Sequence, residues 1–214
     1  MNISEAIEIL INSELKQLSL SDDKKAIIGY INTAITVLYS RFDLWEEVAV
    51  VTMVDGVNKY TIDEQDTNVA LDNTDHEFIM INSIFDKEDE KIEISIKEID
   101  YKIKVPRYGK IEVPKYNIIK VETPIEGDTL KVNYKAAPKF LTYEKQAIPL
   151  PPQYFEALFH YVGYRAHASV NGDIKGENNT HFMRFEQSCK LIKSQGLQNE
   201  DSMQVFKFEA SGFV

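Results

Sequence analysis

Four histidines, one cysteine and 34 carboxylates are the side chains of this 214-residue sequence to weigh first for acid–base, nucleophilic or metal chemistry. His160 and His167 are seven residues apart on one predicted helix, sharing a face but separated by about 10 Å along its axis. That is too far for one metal ion without bridging ligands, and neither an HExxH nor a paired-cysteine spacing accompanies them. Cys189 falls within an amphipathic helical stripe, where a thiol is more often buried and inert than nucleophilic. A Cys–His pair with His160 or His167 requires the two C-terminal helices to pack together. The nine glycines are scattered. Gly172-Asp173-Ile174-Lys175-Gly176 has loop composition but neither a Walker spacing nor a preceding strand. The carboxylate pairs Asp86/Glu88 and Asp89/Glu90 fall at a predicted hairpin tip. No catalytic residue, cofactor or metal is expected.

Charge constrains partners. Thirty-four acids against 24 bases give a net charge of −10. Affinity for nucleic acid comes mainly from neutralising phosphates with Lys and Arg, so an acidic chain without a basic block is poorly suited to gripping DNA. The central lysines, from Lys87 to Lys120, interleave with acids. They read first as a solvated β surface, with a nucleic-acid-binding face as the alternative. One cysteine allows no intramolecular disulfide, as in a reducing cytoplasm. Met1 is followed by Glu5 and Glu8, not by a basic region, so no secretory leader is expected. No stretch approaches the ~20 apolar residues of a membrane span, and a soluble protein without a membrane partner is expected.

The elements follow from hydrophobic periodicity. Ile3, Ile7, Leu10, Ile11, Leu15 and Leu18 form one helical stripe over 3–18. A second helix over 22–43 is expected to bury Ile27, Tyr30, Ile31, Ala34, Ile35, Leu38 and Phe42. Ser21 is the candidate N-cap. Gly29 in that helix costs about 1 kcal/mol relative to Ala, which close packing would explain. From Glu47 the period changes to two. Val48–Val54 and Val57–Ile62 flank Asp55-Gly56, which predicts a hairpin with a type I′ turn. Further strands are predicted at 77–85, 91–96, 111–113, 116–122 and 129–135, making a small antiparallel sheet or barrel. Pro149, Pro151 and Pro152 mark the return to helix. Helices follow over 152–170 and 177–195, the second capped by Gly196.

Leu150-Pro-Pro-Gln-Tyr-Phe-Glu-Ala-Leu158, then Tyr161, Tyr164-Arg-Ala166, a Gly/Asn break and Phe182-Met-Arg-Phe-Glu186 resemble the head-to-tail adaptor and tail tubular proteins of tailed bacteriophages. Upstream, Leu20-Ser-Asp-Asp23 leading into Ile28-Gly-Tyr-Ile-Asn-Thr-Ala-Ile35 is similar to their N-terminal helix. Val132-Asn-Tyr-Lys-Ala-Ala-Pro138 fits their last strand. The resemblance implies an α+β fold: a bundle of about four helices with an inserted antiparallel β-sheet or small barrel and an extended C-terminal arm. The chain then divides into N-terminal helices (1–45), an inserted β-rich subdomain (46–145), C-terminal helices (146–196) and the arm (197–214).

The resemblance further implies a virion structural protein at the head–tail junction, made in the host cytoplasm and carrying no cofactor. It would form a homo-oligomeric ring, commonly of twelve copies, beneath the portal. Its partners would be further copies of itself, the portal protein and a downstream tail or nozzle protein. DNA would pass through the lumen without specific binding, and an acidic lumen would repel its phosphates. A tail nozzle, stopper or tail-completion protein is the alternative within this class. A virion-associated cell-wall hydrolase and a host-encoded binding module lie outside it.

Two sets of residues are the expected interfaces. Tyr154, Phe155, Phe159 and Tyr164 crowd the third helix and point around it, so one face can enter the core while the inserted domain or a neighbouring subunit covers the remainder; the alternative is that they serve the core alone. In the arm, Val205, Phe206, Phe208 and Phe213 follow a polar stretch. Burying three phenylalanines yields roughly 5–9 kcal/mol, whereas fixing some fifteen residues costs about 15 kcal/mol or more. Such an arm is not expected to order by itself: pairing with a partner's strand edge would supply the rest, and a disordered tail is the alternative.

Overall fold

The computed structural model describes residues 1–18, 23–73, 75–92, 107–171 and 180–196. The fold is α+β. The chain forms two compact units, one built from Met1–Leu44 and the chain from Phe140 onward, the other from Trp45–Lys139. No helix among the described residues is long and apolar enough to cross a membrane.

The first unit holds the four α-helices of the described residues. Helix α1 (Ile3–Asn12) opens on a capping box, in which the Asn2 side chain accepts from the Glu5 amide and the Glu5 carboxylate from the Asn2 amide, both at 2.9 Å. It buries Ile3, Ala6, Ile7 and Leu10. The helix expected over 3–18 stops at Asn12. Asn12 Nδ2 and Ser13 Oγ donate back to the carbonyls of Glu8 and Ile9, competing for the acceptors that would continue the helix. Leu15 still reaches the core from the following turn, its amide donating to Leu10 O.

Helix α2 (Lys24–Arg41) is capped by Asp23, whose side chain accepts from the Ala26 amide; the expected cap, Ser21, lies outside the described residues. Close packing does not explain Gly29, since a Cβ there would meet nothing within 4 Å. A 3-10 turn (Pro152–Tyr154) leads into α3 (Phe155–Asn171), and α4 (Thr180–Ser194) ends at Gly196 with φ +68°, as a helix cap requires. Residues 140–148 strap across the first two helices. Asn32 exchanges two 2.9 Å bonds with the Leu141 backbone, and the amides of Ile3 and Ser4 donate to Gln146 O and Glu144 O.

The second unit contains two antiparallel sheets. The larger has the order β3 (Val69–Leu71), β1 (Glu46–Thr52), β8 (Thr129–Pro138), β4 (His76–Phe85), β5 (Lys91–Ile92). The smaller runs β2 (Lys59–Thr61), β7 (Ile118–Val121), β6 (Ile111–Lys115). Val51, Leu130, Val132 and Ile84 from the larger sheet and Tyr60, Ile119 and Val121 from the smaller share one core. Alternation puts every second residue of β8 there: Leu130, Val132, Tyr134, Ala136.

The hairpin expected at Asp55-Gly56 is a turn of another kind. Val57 N donates to Val54 O, but only Gly56 has positive φ (+74°), the type II pattern instead of I′. Type II turns splay the flanking strands, and here β1 and β2 leave into different sheets. β3 escapes the sequence reading because three residues are too few to show a period. Of the strand expected at 91–96, Lys91–Ile92 is present and the remainder lies outside the described residues. β6 tolerates Pro114 because it is the edge of its sheet, and its register slips between Glu112 and Lys115.

Candidate assembly surfaces

The third-helix aromatics divide between core and surface. Tyr154 is 0% exposed and meets Phe42 edge-on at 5.1 Å. Burial pushes its phenol up to about 12. It is a core residue of its own unit, which corrects its expected place in an interface: the 3-10 turn rotates it inward ahead of the helix. Phe155 and Phe159, one turn apart, stack at 6.4 Å and are half-buried. Tyr164, also half-buried, packs on Phe182 of α4 at 5.0 Å, while Tyr161 meets Phe185 at 5.0 Å. Arg41 caps this aromatic seam, its guanidinium 4.8 Å from the Phe185 ring and 2.5 Å from the Glu186 carboxylate. Val205, Phe206, Phe208 and Phe213 lie outside the described residues.

Cys189 is buried beside that seam, and burial pushes its thiol up, against the opposing pull of Arg41. The conceivable Cys–His pair does not form: His160 and His167 are both engaged with Glu14. The Glu14 carboxylate lies 3.3 Å from His160 Nδ1 and 2.6 Å from His181 Nδ1, and His167 Nε2 lies 3.0 Å from the Glu14 carbonyl. Sequence spacing pairs His160 with His167 only; Glu14 and His181 arrive from distant segments. Among the described residues, no group of three or more His, Cys, Asp or Glu is arranged to hold a metal ion.

In the β unit, Glu47 is 7% exposed and accepts from Tyr134 Oη (2.9 Å), Trp45 Nε1 (3.0 Å) and His76 Nδ1 (2.6 Å). The sequence reading missed this cluster, because its members come from three strands and a connecting residue. Beside it opens a pocket of roughly 370 Å3 walled by Ile62, Leu71, Phe78 and Tyr134, with Asp63 and Glu64 among its polar residues. Trp45, 47% exposed, leans on His76, and Tyr116, 64% exposed, on Phe78.

The acidic pairs at the β4–β5 tip are structural. Asp86 Oδ1 accepts from the amides of Glu88 and Glu90, Asp89 takes a positive φ of 61°, and Lys131 and Arg107 bond to Asp89 and Glu88. Nearby, the Lys87 ammonium and the Arg107 guanidinium, each 2.9 Å away, hold the Asp128 carboxyl below the usual carboxylate range.

These surfaces gain meaning from comparison. The model of the SU10 adaptor protein family, a family of phage head-to-tail adaptors, matches residues 1–205. The chain belongs to the SU10 adaptor protein family. No curated protein matches it. The adaptor's motif residues prove to be packing residues. Leu150, Ala157, Leu158 and Ala166 are buried with Tyr154 in the helical unit, and Tyr161 joins the α3–α4 seam. The match ends at Val205, so the three phenylalanines of the arm fall beyond what the family model describes.

Proposed function

We propose that this adaptor is a non-enzymatic virion structural protein that assembles as a ring of about twelve copies beneath the portal. It joins capsid to tail there, at the head–tail junction, and continues the DNA channel. The family match over residues 1–205 carries the reading. Solvent-facing aromatics of the kind enriched in interfaces support it: Trp45 and Tyr116 on the β unit, Phe140 and Tyr143 on the strap. The net charge of −10 suits a lumen that repels DNA phosphates, so the genome passes without specific binding. A structural role fits the chemistry too, because Cys189, Glu47 and Asp128 each serve packing or ion pairing.

The test is a native mass measurement of the purified chain, alone and mixed with the portal protein of the same phage. A closed homo-oligomer that binds the portal is the expected result. Binding to a tail component but not to the portal would reassign the chain as a nozzle, stopper or tail-completion protein. A monomer that ignores both and clears peptidoglycan would overturn the proposal in favour of a hydrolase.

A further inference from the structure

Among the described residues, four aromatic side chains are strongly exposed, and they fall into two patches: Trp45 and Tyr116 on the β unit, Phe140 and Tyr143 on the strap. The first patch flanks the cavity of roughly 370 Å3, because Trp45 leans on His76 and Tyr116 on Phe78, and both of those line it. Phe78 in turn stacks on Tyr134 at 4.9 Å, and Ile62 and Leu71 complete an apolar wall. Asp63 and Glu64 share the lining, and no lysine or arginine among the described residues does. Asp63 Oδ1 accepts from the amides of Gln65 and Asp66 at 3.0 Å, whereas Glu64 is exposed and pairs with no cation among the described residues. Such a cavity suits an apolar or aromatic side chain accompanied by positive charge.

The strap offers that combination. Phe140 and Tyr143 are 59% and 71% exposed. Lys139 and Lys145 border them in sequence, both exposed and without an acidic partner among the described residues, while Glu144 is held by Lys24 at 3.1 Å. The strap is also fixed in shape. Leu141 is buried with its backbone bonded to Asn32, and Gln146 Oε1 accepts from the amides of Thr142 and Tyr143 at 2.7 and 2.8 Å. Held in this way, it loses little freedom on docking.

We propose, building on the ring assembly above, that these patches are the two sides of its subunit contact: the strap of one copy presents Phe140 and Tyr143 to the β-unit cavity of the next, with Lys139 and Lys145 facing Asp63 and Glu64. Each patch carries one sign of charge, so pairing with its own kind is opposed by repulsion and pairing with the other is favoured. The two lie on different parts of one chain. A contact between unlike surfaces is head-to-tail, and it leaves each copy with one free patch of each kind until the ring closes.

Charge reversal in the full chain tests the pairing. Glu64→Lys turns the cavity basic, and Lys139→Glu with Lys145→Glu turns the strap acidic; all three positions are exposed, so both variants should melt as the wild type does. Each variant alone should raise the concentration needed for half-assembly about tenfold or more, read by native mass measurement. An equimolar mixture of the two should assemble as the wild type does, in rings that alternate the variants, because every junction then joins opposite charges. Variants that each assemble at the wild-type concentration, or a mixture no better than its components, would overturn the pairing and leave the ring standing. Loss confined to one variant overturns it as well, since the two patches would then serve different occupants. A wild-type chain that stays monomeric at every concentration removes the ring itself, and the pairing with it.

Discussion

Glu47 accepts from Tyr134, Trp45 and His76 with only 7% of its surface exposed, and a carboxylate so placed needs all of that satisfaction. Glu47→Ala strands a buried tyrosine hydroxyl and should destabilise the β unit by about 2–3 kcal/mol. Urea denaturation followed through Trp45, the chain's one tryptophan, reads this directly. Tyr134 has the complementary behaviour. Burial, with Glu47 beside it, pushes its phenol well above the ordinary value of 10.0. The unfolded chain therefore loses that proton first, and stability present below pH ~10 is lost as pH rises beyond it. Tyr134→Phe gives up the hydrogen bond but should flatten the fall in stability between pH 9.5 and about 11. Neither residue was legible as a site: Glu47 is one of 34 acids, and the alternation around Tyr134 shows only that it faces inward.

Elements were legible where the cause of structure is local. The stripes of α2, α3 and α4, the proline start before α3 and the Gly196 stop all follow from residues within a turn or two of one another. Where a side chain competes locally, the stripe misleads: Asn12 and Ser13 end α1 although Leu15 and Leu18 continue its spacing. Two substitutions probe this scale. Asn2→Ala removes one half of the capping box and should cost about 1 kcal/mol. Gly29→Ala should stabilise by roughly 0.5–1 kcal/mol, since the helix gains and the new methyl meets nothing within 4 Å. Gly163→Ala should do the reverse, because its methyl would press on His181 and Glu14. Thermal melts of the three variants, taken at pH 7.5, order them.

At the scale of the molecule, the proposed part of residues 197–214 in assembly is open to a direct test. Truncation after Gln198 should leave the melting of both units unchanged and abolish or weaken portal binding; unchanged assembly would remove the arm from the interface. The sequence by itself determined the α+β class, the change of period at Glu47, the proline start before α3, the Gly196 stop, and membership of the adaptor family, because each is written in residues close along the chain or in their order. Only the tertiary structure decided that β1 pairs with β3 and β8 while β2 joins another sheet, that Tyr154 is core, and that Glu14 sits among three histidines. A period of two records which side of a strand is dry but not which strand lies beside it, and residues as distant as Glu14 and His181 meet only when the whole helical unit packs.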